Sequence, residues 1–167
     1  MLSGVRAALS AHRGERYIAA VAELTELAAL RHNRGLIADP GSFAREADAA
    51  SWLYMCGEEF ATMDGGMSYT DVQAAVDASA NVVSDPPVVM DMDLARRQIA
   101  ALDELPRPTL VTCRTGGRSA ALIYLYAGLK AGASKDEVMA RAVADGAPFV
   151  RSDELVAWVE QGLAELA

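Results

Sequence analysis

Residues 109–130 read TLVTCRTGGRSAALIYLYAGLK. Thr109 to Thr112 set apolar Leu110 and Val111 between threonines, the composition of a short buried strand. Pro106 and Pro108 stand just before it and stop any helix arriving from upstream. Beyond Cys113 the chain turns through Gly116 and Gly117. From about Gly117 to Lys130 it is apolar on most sides, which predicts a central, buried helix. Strand, cysteine, glycine pair and buried helix in this order predict an α/β fold. Its sheet is small and mainly parallel, flanked by helices, with the active site in the strand–Cys loop–helix turn.

The loop carries the chemistry. Gly116 and Gly117 permit positive φ and a close backbone approach to a ligand. Successive N–H groups can then converge on one point at a helix N-terminus, where the macrodipole also favours an anion. A cysteine held there is stabilised as the thiolate, which is the nucleophilic form. Arg118 can grip an oxyanion with two donors at once. Ser119 can donate to the Cys113 sulfur and assist its departure from a covalent intermediate. Arg114 is expected to face outward and select an anionic substrate, and Thr115 to contribute its backbone N–H. The expected anion-binding set is therefore Arg114, Thr115, Gly116, Gly117 and Arg118, around Cys113 and Ser119.

The stretch CRTGGRS after a β-branched strand resembles the active-site loop shared by rhodanese sulfurtransferases and cysteine-dependent phosphatases. Residues 119–149, SAALIYLYAGLKAGASKDEVMARAVADGAPF, resemble the beta-lactamase-hydrolase-like phosphatase family, which has a dual-specificity-phosphatase type of fold. The resemblance spans roughly residues 66–147. It implies Cys113 as nucleophile, Arg118 as the anion-binding arginine and a cysteinyl-phosphate intermediate. Two departures matter. Four residues separate Cys113 from Arg118, where the phosphatase loop has five. Thr112 stands where a histidine often precedes the phosphatase cysteine. The four-residue spacing is common in rhodaneses, where the loop holds a persulfide. Phosphatase-like hydrolase, sulfurtransferase and non-catalytic anion-binding module therefore remain open.

A phosphatase needs an acid for the leaving oxygen. Asp85, Asp91 and Asp93 lie upstream, and Asp85, before Pro86 in a rigid loop after a strand, is the first choice. Asp91 and Asp93 read equally as helix caps. Cys56, beside Trp52 and Tyr54, is expected to pack in the core, with a resolving thiol as the sharper alternative. His12 and His32 have no cysteine or acid at ligand spacing, so no metal or cofactor is expected. Met63, Met67, Met90 and Met92 read as gap-filling core.

Elsewhere the pattern is helical. Val21, Leu24 and Ala28 share one helical face, and a second helix is expected from Ser42 to about Met63. Asp64, Gly65 and Gly66 then mark a boundary. The expected division is a helical extension or cap over residues 1–65 and the α/β domain over 66–167. The N-terminal helices are open to two uses, a lid over the site or a homo-oligomer interface. Further on, a capping box at Thr70 and Gln73 starts a helix, and strands are expected at 81–84 and 88–90. Ala95, Ile99 and Leu102 form one helical stripe. Ser134 and Glu137 form a second capping box, with Val138, Ala142 and Val143 inward. Ser152 caps a last helix with Leu155, Trp158, Val159 and Leu163 inward.

Composition sets the outer limits. Apolar residues make up 52%, enough for a buried core. A net charge of −8 disfavours nucleic acid and acidic membranes as partners, leaving a small anion held by a locally positive loop. The longest apolar run, Ala120 to Leu129, is far short of the roughly 20 residues that span a bilayer. Only two cysteines occur, too few for a disulfide scaffold, so a cytoplasmic or other reducing compartment is expected. The first fourteen residues carry Arg6 and Arg13 and no acid, which reads as a first helix or as an organelle transit segment.

Overall fold

The strand expected at Thr109–Thr112 is found there, buried at all four residues and paired on both sides. The structure, a computed structural model, describes residues 23–167. Its four strands are β1 (Leu30–His32), β2 (Ser51–Tyr54), β3 (Ala78–Asn81) and β4 (Thr109–Thr112). They form one parallel sheet in the order β1-β4-β2-β3. His32 pairs with Val111, and Tyr54 with Thr112, so the C-terminal ends of β1, β2 and β4 lie level. Open parallel sheets bind ligands at that edge.

Seven α-helices lie among the described residues: α1 (Pro40–Glu46), α2 (Glu58–Ala61), α3 (Tyr69–Ala75), α4 (Met92–Glu104), α5 (Gly117–Ala131), α6 (Lys135–Ala144) and α7 (Asp153–Glu165). Parallel strands need both faces covered. Val111 joins the cluster built with α4, α5, α6 and α7, and Leu110 joins the opposite cluster of Trp52, Tyr54, Phe60 and Val72. The polar groups of the sheet centre are satisfied internally. Trp52 Nε1 donates to Thr112 Oγ1 at 2.8 Å, and the hydroxyls of Ser51 and Thr109 bond at 2.8 Å. Helix α5 is buried from Ser119 to Gly128, so it is the central helix its composition predicts.

Caps account for most helix boundaries. Asp91 accepts from Leu94 N at the start of α4, and Ser152 from Leu155 N at the start of α7. Ser134 and Glu137 form the expected box on α6, although Val143 is exposed rather than inward. The box on α3 lies two residues earlier than expected, at Ser68 and Asp71. Ala95 and Leu102 are buried in α4, with Ile99 partly so.

The N-terminal expectations need correction. In place of one helix from Ser42 to Met63 the chain forms α1, β2 and α2. Asp39 and Pro40, whose turn chemistry suggests a break, instead start α1 as its cap and first residue. Ser51 to Tyr54 is buried on both faces, so it lacks the alternation that marks a half-exposed strand. The boundary at residue 65 also falls inside the fold. β2, upstream of it, pairs with β3 and β4, downstream of it. Residues 23–65 thus supply two of the four strands, and no separate helical extension exists among them. Residues 1–22, where a first helix or a transit segment is expected, lie outside the described residues. β3 begins at Ala78, three residues before the expected strand, and 82–84 follow as loop, still bonded to the end of β2 through Val82 N–Tyr54 O and to the residue after it through Ser84 N–Met55 O. Residues 88–90 form no strand.

Candidate active site

The loop from Cys113 to Ser119 leaves the C-terminal end of β4 and wraps its own sulfur. Cys113 is 5% exposed. Its Sγ accepts from Gly116 N at 3.2 Å and Ser119 N at 3.4 Å, and lies 3.4 Å from Ser119 Oγ. Two backbone donors thus converge on one atom at the start of α5, with the Ser119 hydroxyl beside it, an arrangement that favours negative charge there. Gly116 sits at φ 111°, a conformation open to glycine, and caps α5 without a side chain.

Asp85 reaches this loop from the segment after β3. It is buried, and its Oδ2 accepts from Gly57 N at 3.0 Å and lies 3.4 Å from Arg114 Nε. Its Oδ1 has no hydrogen-bond donor and lies 4.0 Å from Arg118 Nη1. Arg118 donates to Ser84 O at 2.6 Å. Arg114 does not face outward as expected. It lies over the Phe60 ring, 5.6 Å from the centroid, and against Asp85. The reason is the buried Asp85 carboxyl group, whose oxygens need polar partners once they leave water. Asp91 is a helix cap and Asp93 an exposed partner of Arg97, so neither joins the cluster.

Cys56 is 1% exposed, just beyond β2, among Trp52, Tyr54 and Phe60. Burial pushes its thiol up to about 12, with the negative charges of Asp85 and Cys113 adding to the effect. At pH 8 it stays in the unreactive thiol form. Native protein treated with iodoacetamide at pH 8 is therefore expected to leave Cys56 unmodified until urea unfolds it, as peptide mass mapping would read. Met67 and Met92 are buried as core, whereas Met63 is exposed. No cluster of metal-ligating residues occurs among the described residues, and no helix among them is long and apolar enough to cross a membrane.

One residue of the cluster has no local signal in sequence. Asn33, buried just after β1, bonds across to the loop 80 residues away. Its Oδ1 accepts from Cys113 N at 3.3 Å and Ser119 Oγ at 3.1 Å, and its Nδ2 donates to Cys113 O at 3.0 Å. Beside it, Gly35 N donates to Thr115 O at 2.7 Å. In sequence, an asparagine two residues before a glycine reads only as a turn.

No protein-family profile matches the sequence, and no curated protein does. Solved structures do. A candidate phosphatase from Neisseria meningitidis Z2491 superposes with a TM-score of 0.61 at 14% identity, over 80% of this chain and 93% of its own. The core catalytic domain of the PP-IP phosphatase SIW14 from S. cerevisiae, solved with citrate, superposes with a TM-score of 0.57 at 15% identity, over 78% of each chain. The chain therefore has the α/β fold of these two structures, across most of its length.

Proposed function

We propose that the chain is a phosphatase-like hydrolase acting through Cys113 on a small phosphate monoester. The observation that carries the reading is the convergence of Gly116 N, Ser119 N and Ser119 Oγ on Cys113 Sγ, with Arg118 in the same loop and Asp85 beside it. The fold shared with the two phosphatase structures supports it. Cys113 Sγ attacks phosphorus and the bond to the leaving oxygen breaks. The N–H groups of the loop and the Arg118 guanidinium hold the phosphoryl oxygens. Asp85 gives its proton to the leaving oxygen. Of its two oxygens, Oδ1 is the one no donor holds, since Oδ2 faces Gly57 N and Arg114. Water then attacks phosphorus, returning a proton to Asp85. The sulfur–phosphorus bond breaks, and the Ser119 hydroxyl turns toward the departing thiolate.

Asp85→Asn tests the acid. Hydrolysis of an alkyl phosphate is expected to slow about 10²- to 10⁴-fold. An aryl phosphate with a good leaving group is expected to slow far less. Equal losses on both substrates would remove Asp85 from this role.

The four-residue spacing favours a second reading, sulfur transfer through a Cys113 persulfide. The deciding experiment pairs an aryl phosphate assay with the intact mass of reduced protein after thiosulfate treatment. Turnover without added mass supports the hydrolase. A gain of one sulfur atom, absent in Cys113→Ser, supports the sulfurtransferase. Neither result, with phosphate still raising Tm, leaves an anion-binding module.

A further inference from the structure

We infer that Asn33 is the positioning residue of this loop: its side-chain amide aims the anion-binding N–H groups and governs the Ser119 proton. The inference rests on the hydrolase reading of the site and concerns a residue outside the loop.

The amide's orientation follows from its partners. Nδ2 faces the carbonyls of Cys113 at 3.0 Å, Gly35 at 3.0 Å and Arg114 at 3.4 Å, which can only accept. Oδ1 faces Cys113 N, which can only donate, and the Ser119 hydroxyl. A flipped amide would oppose like groups at all three carbonyls and at Cys113 N. The peptide units after Cys113 and Arg114 are trans, so each carbonyl points opposite to the next N–H. By drawing the Cys113 and Arg114 carbonyls to one side, Asn33 turns the N–H groups of Arg114 and Thr115 to the other. Neither N–H donates to an acceptor among the described residues. They are the donors left for phosphoryl oxygens.

The second effect concerns one hydrogen. Ser119 Oγ lies 3.1 Å from Asn33 Oδ1, 3.2 Å from Gly116 O and 3.4 Å from Cys113 Sγ. A hydroxyl has a single proton to donate. While the thiolate is held by the two backbone donors, the proton rests on Asn33 Oδ1, the shortest of the three contacts. It turns to the sulfur when charge returns there on breakdown of the intermediate. Asn33 thus acts through Ser119 and through the backbone, touching no reacting atom.

The test uses the full chain, with inorganic phosphate as probe and calorimetry as readout, in wild type, Asn33→Ala and Asn33→Asp. Near-UV circular dichroism checks the fold. Asn33→Asp keeps the volume but replaces the amide donor, so a folded protein remains available if the alanine variant fails. Phosphate affinity is expected to fall about tenfold or more in each folded variant. For turnover, the loss in Asn33→Ala and the loss in Ser119→Ala are expected not to add in the double variant. A residue that merely filled space would give additive losses and leave phosphate binding intact. Affinity within twofold of wild type in a folded variant, or additive losses, would overturn the inference while leaving the hydrolase reading in place. Weakened phosphate binding in a chain that turns over no phosphate ester would do the reverse. Absence of phosphate binding in the wild type would overturn both.

Discussion

Cys113→Ser is expected to lower kcat on an aryl phosphate by about 10⁴-fold or more, because it removes the thiol that the proposed mechanism uses as nucleophile. Serine is nearly isosteric and can accept the same two N–H bonds that Gly116 and Ser119 donate. An alcohol in that position stays protonated at neutral pH, so the anion cradle has no alkoxide to stabilise. The fold should hold, with Tm moving by no more than about 4 °C. Phosphate binding should also persist, since its donors are backbone groups and Arg118. Steady-state kinetics, thermal unfolding and calorimetry on one preparation separate these effects. Turnover surviving in Cys113→Ser would exclude cysteine catalysis. Loss of turnover together with loss of phosphate binding would point to a collapsed loop instead.

Gly116→Ala is expected to be the most destabilising single-methyl change at the site, at about 3–5 kcal/mol by urea unfolding. Two costs coincide. The residue stands at φ 111°, which L side chains rarely adopt. A Cβ there would also overlap the backbone carbonyl oxygen of Asn33. That carbonyl cannot move freely, since the Asn33 side chain is anchored to the loop on both of its ends. Gly132→Ala is the control. It too has positive φ, 63°, but a Cβ there meets nothing within 4 Å. It should cost only about 1–2 kcal/mol, the conformational share alone. Equal costs at the two positions would mean that the close approach of Asn33 to the loop is not rigid.

Some of this was legible residue by residue. Thr109–Thr112 announced itself because Leu110 and Val111 are bounded by prolines on one side and by the cysteine loop on the other. α5 did so because an apolar surface on all sides has only one place to go, the centre. Asp91, Ser134 and Ser152 act on donors three residues away, so their caps can be read from neighbours alone. The strand Ser51–Tyr54 could not be read this way. Burial on both faces erases the period-two pattern, and the apolar spacing that remains, Phe43, Ala50, Leu53 and Phe60, imitates a helix.

By itself the sequence determined what acts over a few residues: the strand and helix around Cys113, the glycines that let the loop turn, and the presence of a thiol, an arginine and a serine within it. Only the tertiary structure decided what depends on pairing across the sheet. Parallel register brings β1 and β2 alongside β4, and so carries Asn33 under the loop and Gly57 against Asp85. It also turns Arg114 onto Phe60 and Asp85 instead of outward. The physical reason is range. Caps, turns and helix dipoles are local, whereas a buried carboxylate or amide takes whichever partner the folded sheet sets beside it, however far apart in the chain.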